Sequence, residues 1–136
     1  MPRTDLYVNL PITGELAPFR IVAHDGSGGY KQATAATEAL VGTADELGKQ
    51  PNGGADVAMS DQPEVEAGAA VAAGDPLTSD AQGRAVKATA AGNRIIGFAD
   101  RNRDKELLRI AEDGVIDTGE IIDYQFAPGF LATAGA

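Results

Sequence analysis

The sequence predicts an all-β protein: a small β-barrel or sandwich built from two similar β units, with extended N- and C-terminal arms. Three observations lead there. The stretch 65–100 alternates short apolar runs (Pro76–Ser79, Ala85–Thr89, Ile95–Ala99) with Gly74-Asp75-Pro76, Ser79-Asp80-Ala81-Gln82-Gly83 and Gly92-Asn93. These are turn sequences, because Gly reaches positive φ without steric cost, Pro presets φ, and Asp and Asn bond their own backbone. Second, sliding the chain by 55 positions lays Asp25 on Asp80, Gly28 on Gly83, and Ala33–Ala36 on Ala88–Ala91. The same slide lays Leu40-Val41-Gly42 on Ile95-Ile96-Gly97 and Ala44-Asp45 on Ala99-Asp100, so apolar falls on apolar without a gap. Two copies are too few for a solenoid, and a domain of two similar units follows. Third, the duplication decides the one ambiguous segment. Tyr30–Lys49 favours helix by its Ala, Glu, Lys and Leu content. Its counterpart carries Gly92-Asn93 and the β-branched pair Ile95-Ile96, which favour strand–turn–strand.

In chain order, Leu6–Leu10 alternates well enough for one strand, which either pairs within the domain or acts as an arm on a neighbour. Phe19–His24 is the next strand, followed by the flexible turn His24–Gly29, which lacks the order of a phosphate-binding loop. Gly48–Gly54, with Pro51 and Asn52 at its centre, is the strongest loop in the chain. Ala55–Ser60 reads as a strand, and Asp61-Gln62-Pro63 as a turn. The charged loop 101–106 leads to Leu107–Ile110, which could begin a helix capped by Asn102. Glu112–Ile116 looks like a hairpin turn, and Ile121–Phe126 closes the fold. The tail beyond is either disordered or laid on a neighbour, with Phe130 and Leu131 as apolar anchors. The expected organisation is an arm at 1–10, one β domain at 11–125 with its repeat at about 16–45 and 71–100, and a tail at 126–136.

Composition narrows the function. A chain of 136 residues can bury a core, yet aromatics are only 5% with no Trp, so that core must be thin and aliphatic. Self-association or docking on a larger surface would add stability. The absence of cysteine excludes disulfide scaffolds, thiolate zinc sites and cysteine nucleophiles. No signal-peptide-like apolar run opens the sequence and no segment reaches membrane-span length, so no membrane partner is expected. A net charge of −9 is repelled by phosphate backbones, so direct nucleic-acid binding is not expected either. The basic residues Arg101, Arg103 and Lys105 are diluted by Asp100, Asp104 and Glu106, as in a solvated turn.

Catalysis finds little support. His24 is the only histidine and, beside Asp25, reads as a surface or capping residue. Asp75, Asp80 and the pair Glu64 and Glu66 lie near turns, but the order of a calcium-binding loop is absent. Few aromatics are available for a sugar platform beside a carboxylate pair. The expectation is a non-enzyme with no cofactor, no metal and no catalytic residue.

The order Val65-x-x-Gly68, Val71-x-x-Gly74-Asp75-x-Leu77, Asp80-x-x-Gly83, Ala88, Ile95-Ile96-Gly97-x-Ala99, then Leu108-Arg109-Ile110, resembles the decoration, or cement, proteins of tailed-bacteriophage heads. The likeness is clearest over Val57–Ile116, and the loop Gly48–Gly54 departs from the pattern. The resemblance implies a virion protein, assembled in the host cytoplasm, that binds the capsid outer surface and ties major capsid protein subunits together. It also implies a homo-oligomer, trimer or dimer, on the capsid lattice. Gly68, Gly74, Asp75, Asp80, Gly83 and Gly97 are then structural turn residues. The candidate capsid or neighbour contacts are the flexible or apolar residues outside the repeat: Leu6, Tyr7, Val8, Leu10, Pro51, Asn52, Phe126, Phe130 and Leu131. The alternatives are another virion structural module, such as a tail or fibre component, or a small β-barrel binding domain.

Overall fold

Turn-forming residues every few positions cut this chain into short strands. The computed structural model describes residues 7–60, 62–100, 115–116 and 119–131, and among these there are twelve strands and no helix. They are β1 (Tyr7–Pro11), β2 (Ile21–His24), β3 (Tyr30–Gln32), β4 (Leu40–Ala44), β5 (Gly54–Ala58), β6 (Glu64–Glu66), β7 (Val71–Ala72), β8 (Pro76–Ser79), β9 (Ala85–Lys87), β10 (Arg94–Ala99), β11 (Val115–Ile116) and β12 (Ile121–Phe130). Two five-stranded antiparallel sheets result, ordered β1-β5-β4-β2-β3 and β6-β12-β10-β8-β9, with β7 and β11 as a separate pair. Each sheet curls until one isolated bridge (Ile12 to Tyr30, Ala67 to Ala85) links its first strand's extension to its last strand. A single bridge does not close a barrel, and the arrangement is sandwich-like.

The two orders trace one path twice. The pairs Val22–Gln32, Ala23–Lys31 and His24–Tyr30 recur 55 residues on as Leu77–Lys87, Thr78–Val86 and Ser79–Ala85. Thr43–Ala58 and Ala44–Val57 recur as Phe98–Gln125 and Ala99–Tyr124, which displaces the last strand by 67 positions instead, from Ala58 to Gln125. Asn9–Asp56, Leu10–Ala55 and Pro11–Gly54 recur as Glu64–Asp123, Val65–Ile122 and Glu66–Ile121, so β1 and β6 are counterparts too. The second unit therefore differs by an insertion between β10 and β12.

The turns repeat in atomic detail. Asp25 accepts the amides of Ser27 (2.7 Å) and Gly29 (3.0 Å), and Asp80 accepts those of Gln82 and Arg84 (both 2.9 Å). These are side-chain-to-backbone turns, the reason Asp occupies both positions. Hydrogen bonds from the Ser27 and Gly29 amides, with one from the Thr13 hydroxyl, hold the Asp25 carboxyl below its ordinary value against a smaller desolvation effect. Glu38 accepts the amides of Thr34 and Ala35, and Asn93 accepts those of Thr89 and Ala90.

Replacing a carboxylate by an amide at one of these paired turns has a pH consequence. Desolvation raises the Glu38 pKa, but hydrogen bonding and charge attraction from Lys31 and the two amides outweigh it, and the net shift is downward. The stabilisation from Glu38 is therefore complete above the ordinary carboxyl value of 4.5 and is lost as pH falls through the lower folded value. Glu38→Asn, copying Asn93, should remove this acid sensitivity while keeping the turn. Thermal melts between neutral and strongly acidic pH would check it, as a smaller melting-temperature loss in the variant.

Packing follows the repeat as well. Ile12, Leu16, Val22, Ala44, Ala55 and Val57 form a small core inside the first unit. Their counterparts Ala67, Val71, Leu77, Ala99, Ile122 and Tyr124 lie in a larger core that also takes in Ile21, Ala23 and Ala33 from the first unit. Thus the second unit's interior and the joint between units are one continuous apolar volume, where each fully buried Leu or Ile contributes about 1.5–3 kcal/mol.

Several sequence expectations need adjustment. Gly97, expected at a turn, lies inside β10, where an added Cβ would sit 2.0 Å from the Gln125 carbonyl oxygen. Gly42 holds the matching place in β4, with its Cβ position 2.3 Å from the Ala58 carbonyl oxygen. Both are glycine because a neighbouring backbone passes too close for a side chain. Residues 126–130, expected to open a tail, continue β12 and pair with β10. Gln62 and Pro63, the described part of the turn expected at Asp61-Gln62-Pro63, lead into β6 as expected. The loop 101–106, the helix considered at Leu107–Ile110 and residues Leu6 and Asp61 lie outside the described residues.

Candidate functional site

The expected contact residues fall into two patches on different sheets. The first runs along the β1 edge of the first sheet. Tyr7 and Val8 project from β1, an edge strand, with Tyr7 44% exposed. Leu10 turns inward and packs against the first unit's core. The loop carrying Pro51 and Asn52 abuts the end of the same strand, since Pro11 pairs with Gly54 and the Ile12 amide donates to the Gly53 carbonyl at 2.9 Å. That loop is tightly turned: Asn52 Oδ1 accepts the Gly54 amide at 2.9 Å, and the Gln50 amide donates to the Gly54 carbonyl at 2.7 Å. The fold thus joins an arm residue pair and a loop that are more than 40 positions apart in sequence.

The second patch is the far end of β12. Phe126 packs against the larger core, whereas Phe130 is 66% exposed. Leu131 is tied down by two backbone bonds, donating to Asn93 and accepting from Gly92. Between them lies a cleft of about 240 Å³ lined by Leu40, Arg94, Ile95, Pro128, Gly129 and Phe130. Its lining is mixed polar and apolar, and the one charged side chain on it is Arg94.

The turn residues serve architecture. Gly68 leaves room for Asp80, whose Oδ2 would lie 2.3 Å from an added Cβ and accepts Arg84 Nε at 3.1 Å. Gly74 has φ near 92°, and Asp75 Oδ2 accepts the Ala72 amide at 2.9 Å. Gly83 does more than turn the chain, because its carbonyl accepts the Ile21 amide at 2.7 Å across the joint between units. His24 is exposed and tilts against the Tyr30 ring at 5.0 Å between centroids. Its neighbour Asp25 is committed to its own turn, so the two do not form an acid–base pair.

Two exposed apolar residues escaped the sequence reasoning, Leu47 and Phe98. Phe98 could have been found: alternation along 94–99 with a buried Ala99 places it on the outer face. Leu47 sits in a loop, where periodicity carries no information.

What such patches can do is grip. An edge strand accepts a further strand through backbone hydrogen bonds, and exposed aromatics beside a shallow cleft supply apolar area. No protein-family model matches the chain, and no curated protein matches it. Among solved structures the fold is shared with the N base of head fibre gp8.5 of bacteriophage phi29, at a TM-score of 0.55 and 18% identity, covering 90% of this chain and 93% of that one.

Proposed function

We propose that this chain is a structural protein of a tailed-phage virion, binding the capsid outer surface and stabilising it by bridging major capsid protein subunits. The observation that carries this is the shared fold, over nearly the whole of both chains, with a domain named as the base of a phage head fibre. The resemblance of the turn and strand residues to head decoration proteins supports the same placement. The role is mechanical and involves no reaction. Net charge of −9 suits a position away from packaged DNA. Many copies on a lattice allow modest individual contacts to hold by avidity.

The neighbour's printed name favours a second reading, in which the domain seats a fibre on the head. The two differ in what binding does to the shell. Added to DNA-free heads, a clamp co-sediments and raises the temperature at which the shells come apart, whereas a fibre base co-sediments without that shift. Failure to co-sediment would overturn both.

The contact patches are tested by point changes. Deleting the N-terminal arm is a poor probe, because it strips β1 from β5. Val8→Glu and Phe130→Ser, both at exposed sites, should each weaken capsid binding about tenfold, or about 1.4 kcal/mol, with the fold intact. Titrated co-sedimentation reads the loss.

A further inference from the structure

The two units of one chain meet head to tail. The first contributes Phe19, Arg20, Ile21, Ala36 and Thr43. The second contributes Glu66, Gln82, Gly83, Arg94 and Tyr124. The bonds are Ile21 amide to Gly83 carbonyl, Glu66 amide to Phe19 carbonyl, Arg94 amide to Ala36 carbonyl, and Arg20 Nη1 to Gln82 carbonyl, all between 2.7 and 2.9 Å. Shifted by the repeat, neither residue set falls on the other. The joint is therefore heterologous, made by two different faces of one unit.

Since both units have the same fold, each chain carries one further copy of each face, uncovered except at Val57, the counterpart of Tyr124, which is buried in the first unit's own core. On the second unit, the counterparts of buried Ile21 and Thr43 are half-buried Pro76 and exposed Phe98, the latter 40% exposed where Thr43 is 0%. On the first unit, the counterparts of buried Gly83 and Ile96 are exposed Gly28 and half-buried Val41. Burial is lost on these two faces because each chain has only two units.

We propose that the second unit of one copy docks on the first unit of the next, repeating between chains the joint that holds the units within a chain. A heterologous contact of this kind generates a ring if its rotation closes, and a filament if it does not. The copy-to-copy joint is the weaker of the two. Pro76 and Pro11 stand where Ile21 and Glu66 donate, so two backbone bonds cannot recur. Phe98 supplies apolar area in their place, and the Arg20 bond does not recur either, because its counterpart Asp75 cannot donate and is held by the Ala72 amide and Lys87. Assembly is thus reversible and concentration-dependent. This inference is independent of the capsid reading.

Sedimentation of the intact chain, with circular dichroism to confirm the β fold, tests it. The parent should form an oligomer that dissociates on dilution. Phe98→Glu spoils one face, and Ser27→Trp, at an exposed turn, spoils the other; Val41→Glu is a second variant on that face. Each variant alone should run as a monomer. Mixing Phe98→Glu with Ser27→Trp should restore association, but only to a one-to-one dimer, because one good face of each kind remains. A monomeric parent at high concentration, a variant on either face that keeps the parent's size, or a mixture that stays monomeric or grows past the dimer would overturn the proposal. A two-fold dimer built on Phe98 alone would reveal itself by ignoring Ser27→Trp.

Discussion

Gly97→Val is expected to destabilise the protein by about 3 kcal/mol, at the upper end of the range for overpacked sites. In a domain of this size that lowers the melting temperature by roughly 10 °C. The cause is steric. A Cβ at this position would lie 2.0 Å from the Gln125 carbonyl oxygen and 2.9 Å from the Tyr124 ring, so β10 and β12 must separate. Those two strands form the spine of the second sheet. Gly42→Val, its counterpart against the Ala58 carbonyl oxygen, should behave alike in the first sheet. Gly129→Ala is the control, with nothing within 4 Å of its added Cβ, and should stay within about 0.5 kcal/mol of the parent. Thermal or denaturant unfolding of the three variants reads the ranking.

Tyr124→Ala should cost about 3–5 kcal/mol, the range for emptying a buried aromatic site. Tyr124 is fully buried where the second unit's interior merges with the joint, and its hydroxyl lies 3.1 Å from Thr43 Oγ1 across the two sheets. Tyr124→Phe separates the two contributions. It keeps the ring and strips the Thr43 hydroxyl of that partner, at a cost of about 1–2 kcal/mol. Thr43→Val in the Tyr124→Phe background should recover part of the loss, since two apolar groups no longer leave a polar atom stranded. A double-mutant cycle in denaturant measures the coupling directly.

What was legible in the sequence was the part punctuated by turns. Asp25 and Asp80 mark the same place in the two units because a carboxylate accepting two turn amides has few substitutes. Strands β8 to β10 were visible because Gly74, Gly83 and Gly92, all at positive φ, bracket them. The fifth strand of each unit was not matched, because the insertion after β10 changes the offset from 55 to 67 and a gapless slide loses it. Gly97 misled because glycine marks a turn and a close approach equally, and only the position of Gln125 distinguishes them. Residues 126–130 looked like a tail because Pro128 and Gly129 usually end a strand. Here they fall next to the register shift between Ile95 and Gly97, where a proline needs no ladder partner. The contact patches were legible as residues but not as surfaces. Nothing in the spacing shows that the loop of Pro51 abuts the end of β1, or that Phe126 turns inward while Phe130 does not.

The proposed function requires this protein to bind the outside of a phage head. An electron-microscopy map of the assembled particle tests that most directly. Two-unit density on the outer surface of the shell, touching more than one major capsid subunit through the β1 edge at Tyr7 and Val8 or the end of β12, is the predicted result. Density confined to the tail, or particles that carry none of this protein on the head, would contradict it.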